Sequence, residues 1–144
     1  MTGRVGDGGF GTGLGGGAGA SFFGLQSTGR RIAYIIDYSK SMNGARERTM
    51  REELSRSIEG LMPGTEVFVA MFTDDAWIIG EKGAKFRDPE WLGVSVFSKD
   101  ALKDAVEHTE IGGGTNWLPP FRMVFDLDPR PDAIYFMTDG RPQA

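Results

Sequence analysis

The chain has 144 residues with the apolar and charged fractions of an ordinary soluble globular protein, enough for one domain. Twenty acidic against 16 basic side chains give a formal net charge of −4 and no long basic run, which argues against nucleic acid as a partner. There is no cysteine, which excludes disulfides and thiolate metal sites and leaves the compartment open. No apolar stretch approaches the ~20 residues that span a bilayer. The N-terminus lacks a charged start followed by an apolar core, so no signal peptide is visible and no membrane contact by this chain itself is expected.

Residues 1–20 are dominated by glycine and hold almost nothing that could be buried, the composition of a flexible arm ahead of a domain over 21–144. Gly11, Gly13 and Gly16 spell G-x-G-x-x-G. The dinucleotide fingerprint needs a strand before it and a helix after it, and here the match is an accident of composition. Phe22, Phe23 and Leu25 form a short apolar island expected to add an edge strand. The stretch IAYIIDYSKSM over residues 32–42 comes next. Its apolar run reads as a strand buried on both faces and stops at Asp37, with Ser39 and Ser41 at alternate positions beyond it. Ligands in open α/β sheets bind beyond the carboxyl ends of strands. One carboxylate and two alcohols make a hard oxygen set that suits Mg²⁺ or Mn²⁺.

Met50, Leu54, Ile58 and Leu61 recur at spacings of three and four, predicting a helix over 45–61 with Arg46, Glu47, Arg48, Glu52, Glu53 and Arg56 on a solvated face. Residues 66–73 read as a second buried strand. Asp74 and Asp75 read as turn residues, and residues 76–80 as the returning arm of an antiparallel hairpin. Residues 81–97 are polar and irregular. Ser98 is the expected N-cap of a helix running to about Thr109, near whose end the single histidine, His108, has surface placement as its simplest reading. Gly112, Gly113 and Gly114 then allow close backbone approach or unusual dihedrals, and a hydroxyl follows at Thr115, placed to cap the next helix. A helix over 118–125 and a buried strand over 132–137 complete the pattern, the strand running into Thr138, Asp139 and Gly140. Trp77 and Trp91 read as packing residues; Trp117 has both rim and core readings.

Taken in order, D-x-S-x-S after an apolar strand, a glycine-rich loop with one threonine, and T-D-G after another apolar strand resemble the von Willebrand factor type A domain and its metal-ion-dependent adhesion site. The resemblance implies a three-layer, Rossmann-like α/β fold: a mostly parallel sheet with one antiparallel edge strand, helices on both faces, and strand order 3-2-1-4-5-6. Four of those six strands are found here, so the domain is expected to be cut short after the fourth, leaving an apolar edge open to self-association. It further implies that Ser39, Ser41 and Thr115 coordinate Mg²⁺ or Mn²⁺ through hydroxyls and that Asp37 and Asp139 do so largely through water. A protein partner would then offer a carboxylate to the open position, with Lys40, Asn116 and Trp117 on the binding rim. Tyr38 and Lys40 depart from the family, which usually has a small residue and a glycine there. Some bacterial members carry a phenylalanine-glycine segment after a glycine-rich linker and a membrane anchor, and the likeness implies part of a longer, tethered protein.

The function expected on this reading is a non-enzymatic, metal-dependent protein-interaction module, since nothing in the set pairs a nucleophile with a base. A phosphatase or phosphotransferase of the haloacid dehalogenase type also places an aspartate after its first strand. It needs a second aspartate two residues on, where this chain has Ser39, and a lysine-bearing later motif that has no counterpart here. A third reading is a metal-free structural scaffold of the same fold.

Overall fold

The computed structural model describes the backbone of Ser21–Phe22 and Leu25–Gln26 together with residues 30–85 and 87–138. The glycine-rich N-terminal stretch, Phe23, and Asp139 with Gly140 lie outside the described residues. Two short strands, β1 (Ser21–Phe22) and β2 (Leu25–Gln26), pair antiparallel as a separate two-stranded sheet. The expected edge strand therefore does not join the main sheet.

The main sheet is built on β3 (Arg31–Asp37), whose residues from Ile32 onward are all buried. Alternate side chains serve opposite faces: Ile32, Tyr34 and Ile36 enter one core and Ala33 and Ile35 the other. A strand with no polar face needs cover on both sides and neighbours on both edges. Parallel partners supply the latter, β4 (Glu66–Phe72) in register from Arg31 opposite Glu66 to Asp37 opposite Phe72, and β7 (Ala133–Met137) from Ile32 opposite Ala133 to Ile36 opposite Met137. Asp132 secures the start of β7, its carboxylate accepting the Arg30 and Arg31 amides at 2.9 and 3.0 Å. β5 (Ala76–Ile78) returns antiparallel along β4, giving the order β5-β4-β3-β7.

Parallel neighbours need crossovers, and helices provide them. Helix α1 (Ala45–Glu59) buries Met50, Leu54 and Ile58 on the Ile32 face, where α2 (Val96–His108) adds Leu102 and Val106. Each such side chain contributes about 1.5–3 kcal/mol of burial. A polar pair is also buried under α1, Tyr34 Oη lying 2.6 Å from Ser57 Oγ. Helix α3 (Leu118–Phe125), with prolines in its first turn where missing amide donors are harmless, covers the opposite face through Val124 and Phe121. The result is three layers with a mostly parallel sheet.

Two expectations need correction. The second helix begins at Val96, not beyond Ser98: Ser95 is its N-cap, and Ser95 and Ser98 form a reciprocal capping box in which Ser98 is the third helical residue. The segment expected to be irregular contains β6 (Leu92–Gly93), which pairs antiparallel with Glu66 and Val67 of β4. The outer edge of β7 pairs with no other strand among the described residues.

Candidate metal site at the carboxyl ends of the strands

Parallel β3 and β7 end side by side, and their ends carry the first part of the site. Asp37 is 0% exposed, and a buried carboxylate must be hydrogen-bonded to be tolerated. Its Oδ1 accepts the Ser39 amide at 2.8 Å and its Oδ2 accepts the Thr138 hydroxyl at 2.8 Å. Donors on both oxygens hold the carboxylate in one orientation. A single 3₁₀ turn over Lys40–Met42 follows, and it brings Ser39 Oγ within 2.8 Å of Ser41 Oγ. The hydroxyl pair is thus ordered within its own loop, and the carboxylate by that loop on one oxygen and by Thr138 at the end of β7 on the other.

The glycine loop between α2 and α3 is fastened to this loop by backbone. The Lys40 amide donates to Gly113 O at 3.0 Å, and the Gly112 amide donates to Tyr38 O at 2.9 Å. On its other side the Gly114 amide donates to Asp74 Oδ2 at 3.0 Å and the Asn116 amide to Thr73 O at 2.8 Å. Gly113 has φ of +85°, and a Cβ there would stand 3.2 Å from both Asp74 Oδ2 and Thr73 Cβ, so a side chain is opposed by conformation and by space. Asp74 is therefore more than the turn residue its local context suggests.

Thr115 emerges from this loop 2% exposed. Its hydroxyl finds no hydrogen-bond partner among the described residues. A buried hydroxyl left unpaired costs about 1–3 kcal/mol. The capping alternative does not account for it: α3 has Trp117 at its N-cap without a side-chain bond, and the Leu118 amide is taken by Asn116 Oδ1 at 3.1 Å. One carboxylate and three hydroxyls, one of them buried and unsatisfied, fit a hard divalent cation with oxygen ligands. Among the described residues no group of three or more His, Cys, Asp or Glu side chains converges; Asp139, the second carboxylate of the expected set, lies outside those residues.

Around this centre, Lys40 and Asn116 are exposed. Trp117 is half-buried, its indole edge-on to Phe136 at 5.2 Å between centroids. Trp77 packs against the Ile32-side core, while Trp91 packs on the opposite face and donates its indole N–H to Pro129 O at 2.7 Å. His108 is exposed at the end of α2, 3.1 Å from the Asp104 carboxylate. Thr138 was visible only as part of T-D-G; the bond to Asp37 that gives it a role spans 101 positions.

The chain matches no family model and no curated protein sequence. Among solved structures, a von Willebrand factor type A protein from Catenulispora acidiphila superimposes with a TM-score of 0.52 at 25% identity, over 60% of this chain and 20% of that one. The fold is von Willebrand factor type A-like. Proximal thread matrix protein 1 from the mussel byssus, at 17% identity, matches the fold with a TM-score of 0.55 over 79% of this chain and 30% of its own. The chain thus spans a fifth to under a third of the length of these two proteins. No helix among the described residues of this type A-like domain is long and apolar enough to cross a membrane.

Proposed function

We propose that this type A-like domain is a protein-interaction module, not an enzyme, whose binding depends on Mg²⁺ or Mn²⁺ at the ends of β3 and β7. The observation that carries the reading is the buried Thr115 hydroxyl, unpartnered among the described residues, on a loop bonded directly to the loop of Asp37, Ser39 and Ser41. Ser39, Ser41 and Thr115 would hold the ion through hydroxyl oxygens, with Asp37 and Asp139 contributing through water. Bound there, such an ion supplies an open coordination position to a carboxylate from a partner. Lys40 adds positive charge at the rim. Asn116 spends its Oδ1 on the Leu118 amide, leaving its NH₂ to donate to an acidic group.

The set is hydroxyls and carboxylate of the kind that hold a cation, which is the reading that favours binding over turnover. A phosphatase reading is disfavoured by Ser39, whose hydroxyl is engaged with Ser41 at the position where that chemistry needs an aspartate. The metal-free scaffold has one observation in its favour: without an ion Asp37 already accepts the Ser39 amide and the Thr138 hydroxyl, and the Ser39 and Ser41 hydroxyls already pair. Calorimetric titration of Mg²⁺ and Mn²⁺ into the protein and into Asp37→Ala separates these readings. Binding that vanishes in the variant supports the proposal, and a folded protein that takes up neither ion leaves the scaffold. Metal-dependent hydrolysis of a phosphate ester would sink the non-enzymatic assignment.

A further inference from the structure

The last carbonyls of an α-helix have no partner within it and must be met from outside. At the end of α2 they are met from α1. Arg51 donates Nη1 to Val106 O and Nη2 to Thr109 O, the latter at 2.7 Å. Its Nε bonds Glu47 Oε2 at 3.1 Å, one turn back on its own helix, which fixes the plane of the guanidinium. A planar fork engaged on three sides is a position specifier that lysine cannot reproduce.

Tyr38 completes the arrangement. This residue, a departure from the small side chain usual in the family, is fully buried between Asp37 and Ser39. Its hydroxyl donates to the same Val106 O at 2.9 Å, and the guanidinium carbon of Arg51 stands 5.3 Å from its ring centroid. Its own carbonyl accepts the Gly112 amide, and two residues on the Lys40 amide donates to Gly113 O. The side chain of Tyr38 thus holds the end of α2, and its backbone holds the loop that α2 leads into.

We propose that Tyr38 and Arg51 form a clamp that fixes the end of α2, and with it the glycine loop bearing Thr115, in register with Ser39 and Ser41. Both are positioning residues, since neither side chain belongs to the hydroxyl and carboxylate set. The consequence for ion affinity rests on the metal reading above; the consequence for loop order does not.

The test combines native-state hydrogen exchange in chelator with Mn²⁺ calorimetry. Arg51→Met keeps an aliphatic stem and removes both guanidinium donors to the end of α2. Arg51→Lys restores the charge without the fork. Expected in Arg51→Met are faster exchange at the Gly112 and Lys40 amides, unchanged exchange in the centre of β3, and Mn²⁺ affinity lower by about tenfold, with Arg51→Lys between the two. Tyr38→Phe keeps the ring and loses one of two donors to Val106 O, so it shows the same pattern more weakly and serves if Arg51→Met does not fold. Unchanged exchange at Gly112 and Lys40 overturns the clamp. So does a wild type that binds Mn²⁺ alongside an Arg51→Met that binds it equally well. Should the wild type bind no Mn²⁺, the metal reading alone fails, and the exchange rates still decide the clamp.

Discussion

Replacing Thr115 by valine exchanges a hydroxyl for a methyl group of nearly the same shape, so packing is kept and only the polar atom is lost. That atom is buried and, among the described residues, unpartnered. Removing such a group relieves a penalty of about 1–3 kcal/mol, and the lower end suits a small side chain at the edge of the core. Thr115→Val should therefore be about 1 kcal/mol more stable than the parent in chelator, a rise in Tm of about 4 °C. With Mn²⁺ at a hundred times the dissociation constant, the parent gains about 2.7 kcal/mol by mass action, and a variant lacking one direct ligand gains little. The order of stability then inverts, the parent leading by about 1.7 kcal/mol. Differential scanning calorimetry of both proteins, each in chelator and in Mn²⁺, reads the inversion directly. A variant that is less stable in chelator, or that gains as much from Mn²⁺ as the parent does, refutes the reasoning.

Other consequences are independent of that one. Gly113→Ala meets both a positive φ and a Cβ contact at 3.2 Å, so it should destabilise by about 1–3 kcal/mol in chemical denaturation, against no change if the loop simply shifts. Thr138→Val takes a hydroxyl donor from the buried Asp37 carboxylate and should cost about 1–3 kcal/mol in the same assay; a neutral result would mean the carboxylate is not held by this bond. Burial pushes the Tyr135 phenol up to about 12, and raises Tyr34 and Tyr38 further in the same direction, the Ser57 hydrogen bond and the Arg51 charge opposing it only in part. Above pH 10 the unfolded chain releases phenolic protons that the native state retains. Stability should thus be intact below pH 10 and fall as pH rises from 10 through about 12, visible as phenolate absorbance appearing together with loss of near-ultraviolet dichroism. Phenolate forming near pH 10 in a protein that keeps its dichroism would contradict that burial.

Much of this was legible in the chain because the decisive signals are local. An unbroken apolar run marks β3 as central, and the i, i+4, i+8 spacing of Met50, Leu54 and Ile58 marks the face of α1. The D-x-S-x-S segment keeps Ser39 and Ser41 in one turn, where their hydroxyls meet. What stayed hidden is long-range. β6 is two residues, both exposed, and exists only through backbone pairing with β4, so no hydropathy pattern announces it. The start of α2 is obscured because Val96 and Phe97 face solvent, so the apolar pattern begins only beyond Ser98; the reciprocal bond places the cap at Ser95, three residues earlier. Asp74 reads as a turn residue from its neighbours, and the Gly114 amide 40 positions away gives it its second role. Arg51 carries no local signal of its role, yet its fork is turned onto α2 and its side chain is only 12% exposed.

The central claim is that the hydroxyls of Ser39, Ser41 and Thr115 hold a divalent ion. Electron paramagnetic resonance of Mn²⁺ titrated into the folded protein tests it most directly, because free and bound ion are distinguished without any partner. The account predicts a single Mn²⁺ site per chain, displaced by Mg²⁺ and lost in Ser41→Ala, a substitution at a half-buried position whose dichroism should match the parent's. Mn²⁺ that stays free throughout, in a protein whose dichroism shows it folded, would contradict it.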